Sequence, residues 1–89
     1  MSMQWRLFAD LRERAGTDTV EVQTNVMTVQ AALDELLSQH EELETRVLDE
    51  DGNVQDHINI LVNGESISDL DAQISADDEL ALFPPVSGG

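Results

Sequence analysis

Cysteine and lysine are both missing from these 89 residues. The first absence excludes disulfides, cysteine-ligated zinc and an acyl group carried on the chain's own thiol. The second leaves no side-chain amine, so one copy could accept another only at its α-amine. Basic residues of any kind are scarce: four arginines face 19 aspartates and glutamates, for a formal net charge of −15. A surface of that sign repels nucleic-acid phosphates and anionic membranes, which argues against both as partners. No apolar run approaches the length of a membrane span, and residues 1–6 lack the apolar core of a secretory signal. A cytoplasmic location is the expectation. No glycine-rich turn opens a helical pattern, so no phosphate-binding loop is expected in the chain itself.

What is present suffices for folding. Hydrophobic residues make up 40% of the chain, with Leu, Ile and Val along its whole length, too many for a disordered acidic segment. A chain this short specifies one domain with a modest core and little room for a deep substrate pocket. The acidic residues are spread from Asp10 to Glu79 and do not form a terminal run. That spread describes a solvated surface suited to high salt, as in the cytoplasm of halophilic archaea.

Alternation of apolar and polar residues predicts a first strand over residues 3–9, with Trp5 and Leu7 inward and Phe8 outward. Residues 10–16 read as a short helical turn ended by Gly16, and residues 19–22 as a second strand closing a hairpin with the first. Thr28 is a helix cap. Val29, Ala32, Leu33, Leu36 and Leu37 then recur at helical spacing as one apolar stripe. Residues 41–47 add a further turn. Asp49-Glu50-Asp51-Gly52-Asn53 is turn chemistry, and its spacing does not complete a calcium loop. Ile58, Ile60 and Val62 mark a strand with Asn59 and Leu61 on its other face. Asn63-Gly64 is a hairpin turn leading to a strand over residues 65–67. Residues 68–78 are an acidic connection with a short turn near Leu70. A last strand, residues 79–83, sends Leu80 and Leu82 one way and Ala81 and Phe83 the other.

One amphipathic helix covers one face of such a mixed sheet. With the first and last strands paired in parallel at the centre, the architecture is α+β: a β-grasp, with four to five strands packed on one main helix. The other sheet face stays open. In this register Phe8, Leu61 and Phe83 lie together on it, and exposed aromatics grouped on a sheet mark a binding surface.

The β-grasp domain is assigned to residues 1–83. Residues 84–89, Pro84-Pro85-Val86-Ser87-Gly88-Gly89, form an extended tail. Two prolines favour a stiff extended path. Two glycines follow with no Cβ to obstruct a partner. Such an end suits a narrow channel and delivery of the Gly89 carboxyl to another protein's active site. A carboxylate is a poor electrophile until it is activated as an adenylate, thioester or thiocarboxylate, so acyl activation is the chemistry this end suits.

Four stretches carry a family resemblance: residues 5–11 (Trp5-Arg6-Leu7-Phe8-Ala9-Asp10-Leu11), Asp56-His57-Ile58-Asn59, Val62-Asn63-Gly64-Glu65, and residues 78–89 with their Phe-Pro-Pro-Val-Ser-Gly-Gly ending. The chain resembles the MoaD-type, ubiquitin-like family, and within it the small archaeal modifier proteins of haloarchaea. The resemblance implies a ubiquitin-like protein modifier and sulfur carrier, not an enzyme. A partner activating enzyme, using ATP and Mg, would adenylate the Gly89 carboxyl. That end is then joined to a target-protein lysine by an isopeptide bond, or converted to a thiocarboxylate that donates sulfur. Phe8 and Phe83 match positions of the family's hydrophobic docking surface, which the register extends to Leu61, and no cofactor or metal is expected to be bound by the chain itself. The free protein is expected to be a monomer.

Two other readings stay open. One is a dedicated molybdopterin synthase small subunit, a sulfur donor whose partner is the synthase large subunit. The other is a β-grasp interaction module with an inert tail. An autonomous enzyme fits poorly. His40 ends a helix and His57 follows Asp56, but no cysteine nucleophile accompanies either.

The charge distribution yields a test by itself. At molar salt the Debye length falls to about 3 Å, and self-repulsion is screened. The thermal unfolding midpoint is therefore expected to rise between dilute buffer and molar KCl. Equal midpoints in the two would contradict adaptation to salt.

Overall fold

Two apolar periodicities build the molecule, one of two residues in the strands and one of 3.6 in the main helix. The computed structural model describes residues 2–56 and 58–84. Its elements are β1 (Ser2–Leu7), α1 (Ala9–Ala15), β2 (Thr19–Gln23), α2 (Val29–Gln39), a 3₁₀ turn (Glu41–Leu43), α3 (Glu44–Val47), β3 (Asn59–Val62), β4 (Glu65–Ile67) and β5 (Glu79–Phe83). The strands form one mixed sheet in the order β2-β1-β5-β3-β4. β1 and β5 run parallel at its centre, and every other pairing is antiparallel. The fold is the α+β, ubiquitin-like β-grasp expected from the sequence, with five strands.

The stripe Val29, Ala32, Leu33, Leu36 and Leu37 is buried along α2. It packs on the sheet face made by Met3, Trp5 and Leu7, by Val20 and Val22, by Ile60, and by Leu80 and Leu82. Trp5 is fully buried between these layers. Its indole N–H donates to the Ala32 carbonyl at 3.0 Å, so the largest core side chain also satisfies its one polar atom. Thr28 caps α2 as expected, accepting from the Ala31 amide at 3.2 Å.

Two local readings are corrected. β1 ends at Leu7, two residues short of the expected 3–9, because Ala9 already begins α1. Leu11 is fully buried, and that burial draws the chain into the helix at this point. Gly16 closes α1 at φ 77°, as its position suggested. The 41–47 region holds two short elements, whose anchors Leu43 and Val47 are fully buried.

The acidic connection holds the expected turn near Leu70 and also contributes to the core. Ile74 is buried, and Leu70 and Ala72 pack on the core. The Val29 and Gln30 amides donate to the Ala72 and Leu70 carbonyls at 3.1 and 2.8 Å. The connection thus satisfies helix-end donors that would otherwise lack partners. In the acidic turn, Asp49 Oδ1 accepts from the amides of Asp51 and Asn53 at 2.9 and 3.0 Å, which gives this carboxylate a structural role. Asn63 and Gly64 take φ 53° and 84°, the left-handed pair that a two-residue hairpin requires.

The Trp5 arrangement predicts a measurable cost. Trp5→Phe removes the indole donor and leaves a void, and should destabilise the protein by about 2 kcal/mol. Chemical denaturation followed by far-ultraviolet circular dichroism measures it, since the variant has lost the chain's one tryptophan. An unchanged midpoint would show that the indole contact contributes nothing.

Candidate functional site

The sheet face away from α2 carries the candidate site. Cross-strand partners share a face, and the register pairs Arg6 with Ala81, Ala81 with Leu61, and Phe83 with Asn59. Phe8 keeps extended geometry, φ −129° and ψ 156°, and so continues the alternation of β1 beyond its last ladder residue. Its ring meets that of Phe83: the centroids are 4.2 Å apart and the planes 12° from parallel. Such a pair contributes roughly 0.5–1.5 kcal/mol beyond its buried area. Phe8, Leu61 and Phe83 are each half-buried. All three line one shallow depression of about 170 Å³, together with Arg6, Gly64, Glu79 and Ala81. The sequence therefore placed these three side chains correctly relative to one another.

Ala9 makes this placement possible. It takes φ 53°, in the left-handed region, where the chain turns out of β1 toward α1. That geometry costs an alanine about 1–2 kcal/mol. Asp10, the next residue, accepts the guanidinium of Arg46 from α3, with Nε at 2.8 Å. The turn is therefore held by a contact to a distant element.

The far end of β5 is clasped as well. The Asn63 amide donates to the Glu79 carbonyl at 2.8 Å, and the Asn63 side-chain oxygen accepts from the Glu79 amide at 2.9 Å. The Asn63 side-chain nitrogen donates to Asp78 at 2.9 Å, and the Ser75 amide donates to the same carboxylate at 2.7 Å. First the Ser75 amide, then the Asn63 side chain, hold the Asp78 carboxyl below its usual value.

Of the predicted tail, Pro84 follows β5 and is buried. Pro85, Val86, Ser87, Gly88 and Gly89 lie outside the described residues, as does His57. His40 is at the surface with Nδ1 3.1 Å from a Glu42 oxygen. Among the described residues no group of three or more His, Cys, Asp or Glu is placed to hold a metal ion. Two larger depressions, near residues 44–55 and 53–70, include none of Phe8, Leu61, Phe83 or Pro84. Sequence reasoning passed over Arg6 and Ala81 as site residues, although the alternation that located Phe8 and Phe83 puts both on the same face.

This geometry meets its relatives at one point: a model of the ThiS family matches residues 5–89. The chain belongs to the ThiS family. It is 54% identical over 88 residues to small archaeal modifier protein 1 of Haloferax volcanii, covering 98% of this chain and 100% of the relative. A crystal structure of that modifier superposes with a TM-score of 0.94 at 54% identity, with 100% of both chains covered. The molybdopterin synthase sulfur carrier subunit of Escherichia coli is 33% identical, over 92% of this chain and 93% of that one. A crystal structure of the Amycolatopsis orientalis BexX/CysO complex contains a chain matched at a TM-score of 0.81 and 27% identity, covering 98% and 99%. These findings bear out the resemblance read from the sequence. Two of these relatives are thus a modifier and a sulfur carrier subunit, and the third is a chain of a two-protein complex.

The Asp78 clasp sets a pH dependence. A carboxyl whose folded value is depressed adds stability above its unfolded value, near 3.8, and loses it as pH falls through the folded value. Asp78→Asn keeps the shape and removes the titration. Wild type is expected to exceed the variant in stability above about pH 4, with the gap closing at lower pH. Denaturant titrations from acidic to neutral pH check this, and a gap independent of pH would contradict it.

Proposed function

We propose that this chain is a ubiquitin-like protein modifier and sulfur carrier that acts through the carboxyl of Gly89. The observation that carries the reading is the full-length likeness to small archaeal modifier protein 1, with the family match continuing through residue 89. The open face supports it. The parallel pairing of β1 with β5 brings Phe8 onto Phe83, the last residue of β5, and Leu61 lines the same depression. An activating enzyme docks there and receives the tail.

The chemistry then belongs to the partner. On that enzyme the Gly89 carboxylate attacks the α-phosphorus of ATP, with Mg bound to the nucleotide. The bond to pyrophosphate breaks and an acyl adenylate remains. A target lysine amine attacks the carbonyl, AMP leaves, a proton is lost, and an isopeptide bond links Gly89 to the target. Hydrosulfide attacking in place of the amine yields the thiocarboxylate and AMP. This chain contributes the carboxyl, the slender approach to it and the docking face. It works as a monomer in the cytoplasm, and no helix among its described residues is long and apolar enough to cross a membrane.

A second reading is favoured by the likeness to the E. coli molybdopterin synthase sulfur carrier subunit. Here the chain is a dedicated sulfur donor, and its partner is the synthase large subunit. Covalent conjugates separate the two readings.

Arg46 is the last arginine and lysine is absent, so trypsin would leave residues 47–89 on any modified lysine. Tagged Ser87→Arg expressed in the native host leaves a Gly-Gly remnant instead, which mass spectrometry maps. The tagged wild-type chain checks that the substitution spares activation. Remnants on many proteins are expected. Their absence, with a thiocarboxylate on the free chain, would restrict the role to sulfur carriage. Neither product, from the variant or from the tagged wild type, would make the tail inert.

A further inference from the structure

Arg6 stands out on the open face. It is the one cationic residue in the five strands of a chain with a net charge of −15. Its strand position lies opposite Ala81 and two residues before Phe8, at the edge of the stacked rings. Its ion pair is a single one, from Nη1 to a Glu79 oxygen at 3.8 Å, with the two side chains 57% and 69% exposed. An exposed pair of that geometry contributes little and exchanges at little cost. A guanidinium has five N–H donors in a fixed fork, and one contact at 3.8 Å leaves most of them to water.

We infer that Arg6 is the residue that orients and selects the activating enzyme, by closing on a carboxylate of that partner. The inference rests on the docking role proposed above for Phe8, Leu61 and Phe83. A partner that covers the Phe8–Phe83 stack expels the water around Arg6. A guanidinium stripped of water and left with one distant carboxylate is costly, so the covering surface must supply an acceptor. A carboxylate that takes both arms of the fork meets that need and fixes register as well. High salt sharpens the selection: long-range attraction is screened beyond about 3 Å at molar ionic strength, while a contact pair excluded from solvent survives. Glu79 then competes with the partner, holding Arg6 only in the free protein.

Chain-dependent ATP–pyrophosphate exchange in an extract of the native host, at molar KCl, reads this directly. The chain concentration is varied for wild type, Arg6→Gln, Glu79→Gln and Phe8→Ala, with thermal unfolding confirming that each is folded. Arg6→Gln is expected to raise the half-saturating concentration at least about tenfold with the maximal rate retained. Glu79→Gln, which removes the competitor, is expected to lower it. Equal impairment by Arg6→Gln and Glu79→Gln would show that the pair serves the fold alone, and would overturn the inference. An unaffected Arg6→Gln beside an impaired Phe8→Ala would overturn the Arg6 role while keeping the docking face. If neither variant is impaired, the docking reading itself fails, and no exchange with wild type would remove activation altogether.

Discussion

Everything in this molecule depends on the parallel pairing of its first and last strands. β1 and β5 hold the centre of the sheet, and each is flanked by an antiparallel neighbour on its other side. No local turn can make a parallel pair. The chain between them must complete the helix, the second hairpin and the capping connection before it returns. Trp5, Leu7, Leu80 and Leu82, from these two strands, are among the most deeply buried side chains. The core therefore closes only when the two ends of the domain meet.

The same pairing decides where function can sit. Parallel strands end on the same side, so Phe8 after β1 and Phe83 at the end of β5 lie close together. Phe8 and Phe83 stack because of that coincidence, and Leu61 joins them through the antiparallel register of β3 with β5. The core face of the sheet is occupied by α2. Among the described residues no layer covers the opposite face, which leaves its apolar centre half-buried. Two clasps keep this centre in position: Arg46 on Asp10 at one end, and Asn63 with Asp78 at the other.

Legibility followed periodicity. The α2 stripe, the Thr28 cap, the Asn63-Gly64 hairpin and the two faces of β5 could be read because side chains encode them at fixed spacing. The central parallel pair followed from topology rules once the elements were in order. What escaped was carried by the backbone. The Leu70 and Ala72 carbonyls cap α2, and no side-chain pattern announces a carbonyl's task. Ala9 adopts a left-handed φ although alanine has no preference for it, because burial of Leu11 forces the turn there. Arg6 was visible in the alternation. It was passed over because a charged residue between inward positions reads as ordinary solvated surface until the register places it beside the stacked rings.

A carrier protein of this family needs a fold beyond its reacting end, and the reason is energetic. A free Gly-Gly peptide offers an activating enzyme little to bind and must lose much of its freedom on the way to the nucleotide. In the function proposed above, a rigid apolar face beside the end of β5 lets docking supply that ordering in advance, so that the carboxyl would reach ATP as a nearly intramolecular reactant. Apolar contact is also the interaction that molar salt strengthens, whereas long-range charge attraction is the one it weakens. An acidic shell and an apolar face at the end of β5, with a single arginine at its margin, would together suit the proposed recognition at high salt. On the docking proposed above, the shell limits unspecific association, the apolar face supplies affinity, and the arginine discriminates among surfaces that fit.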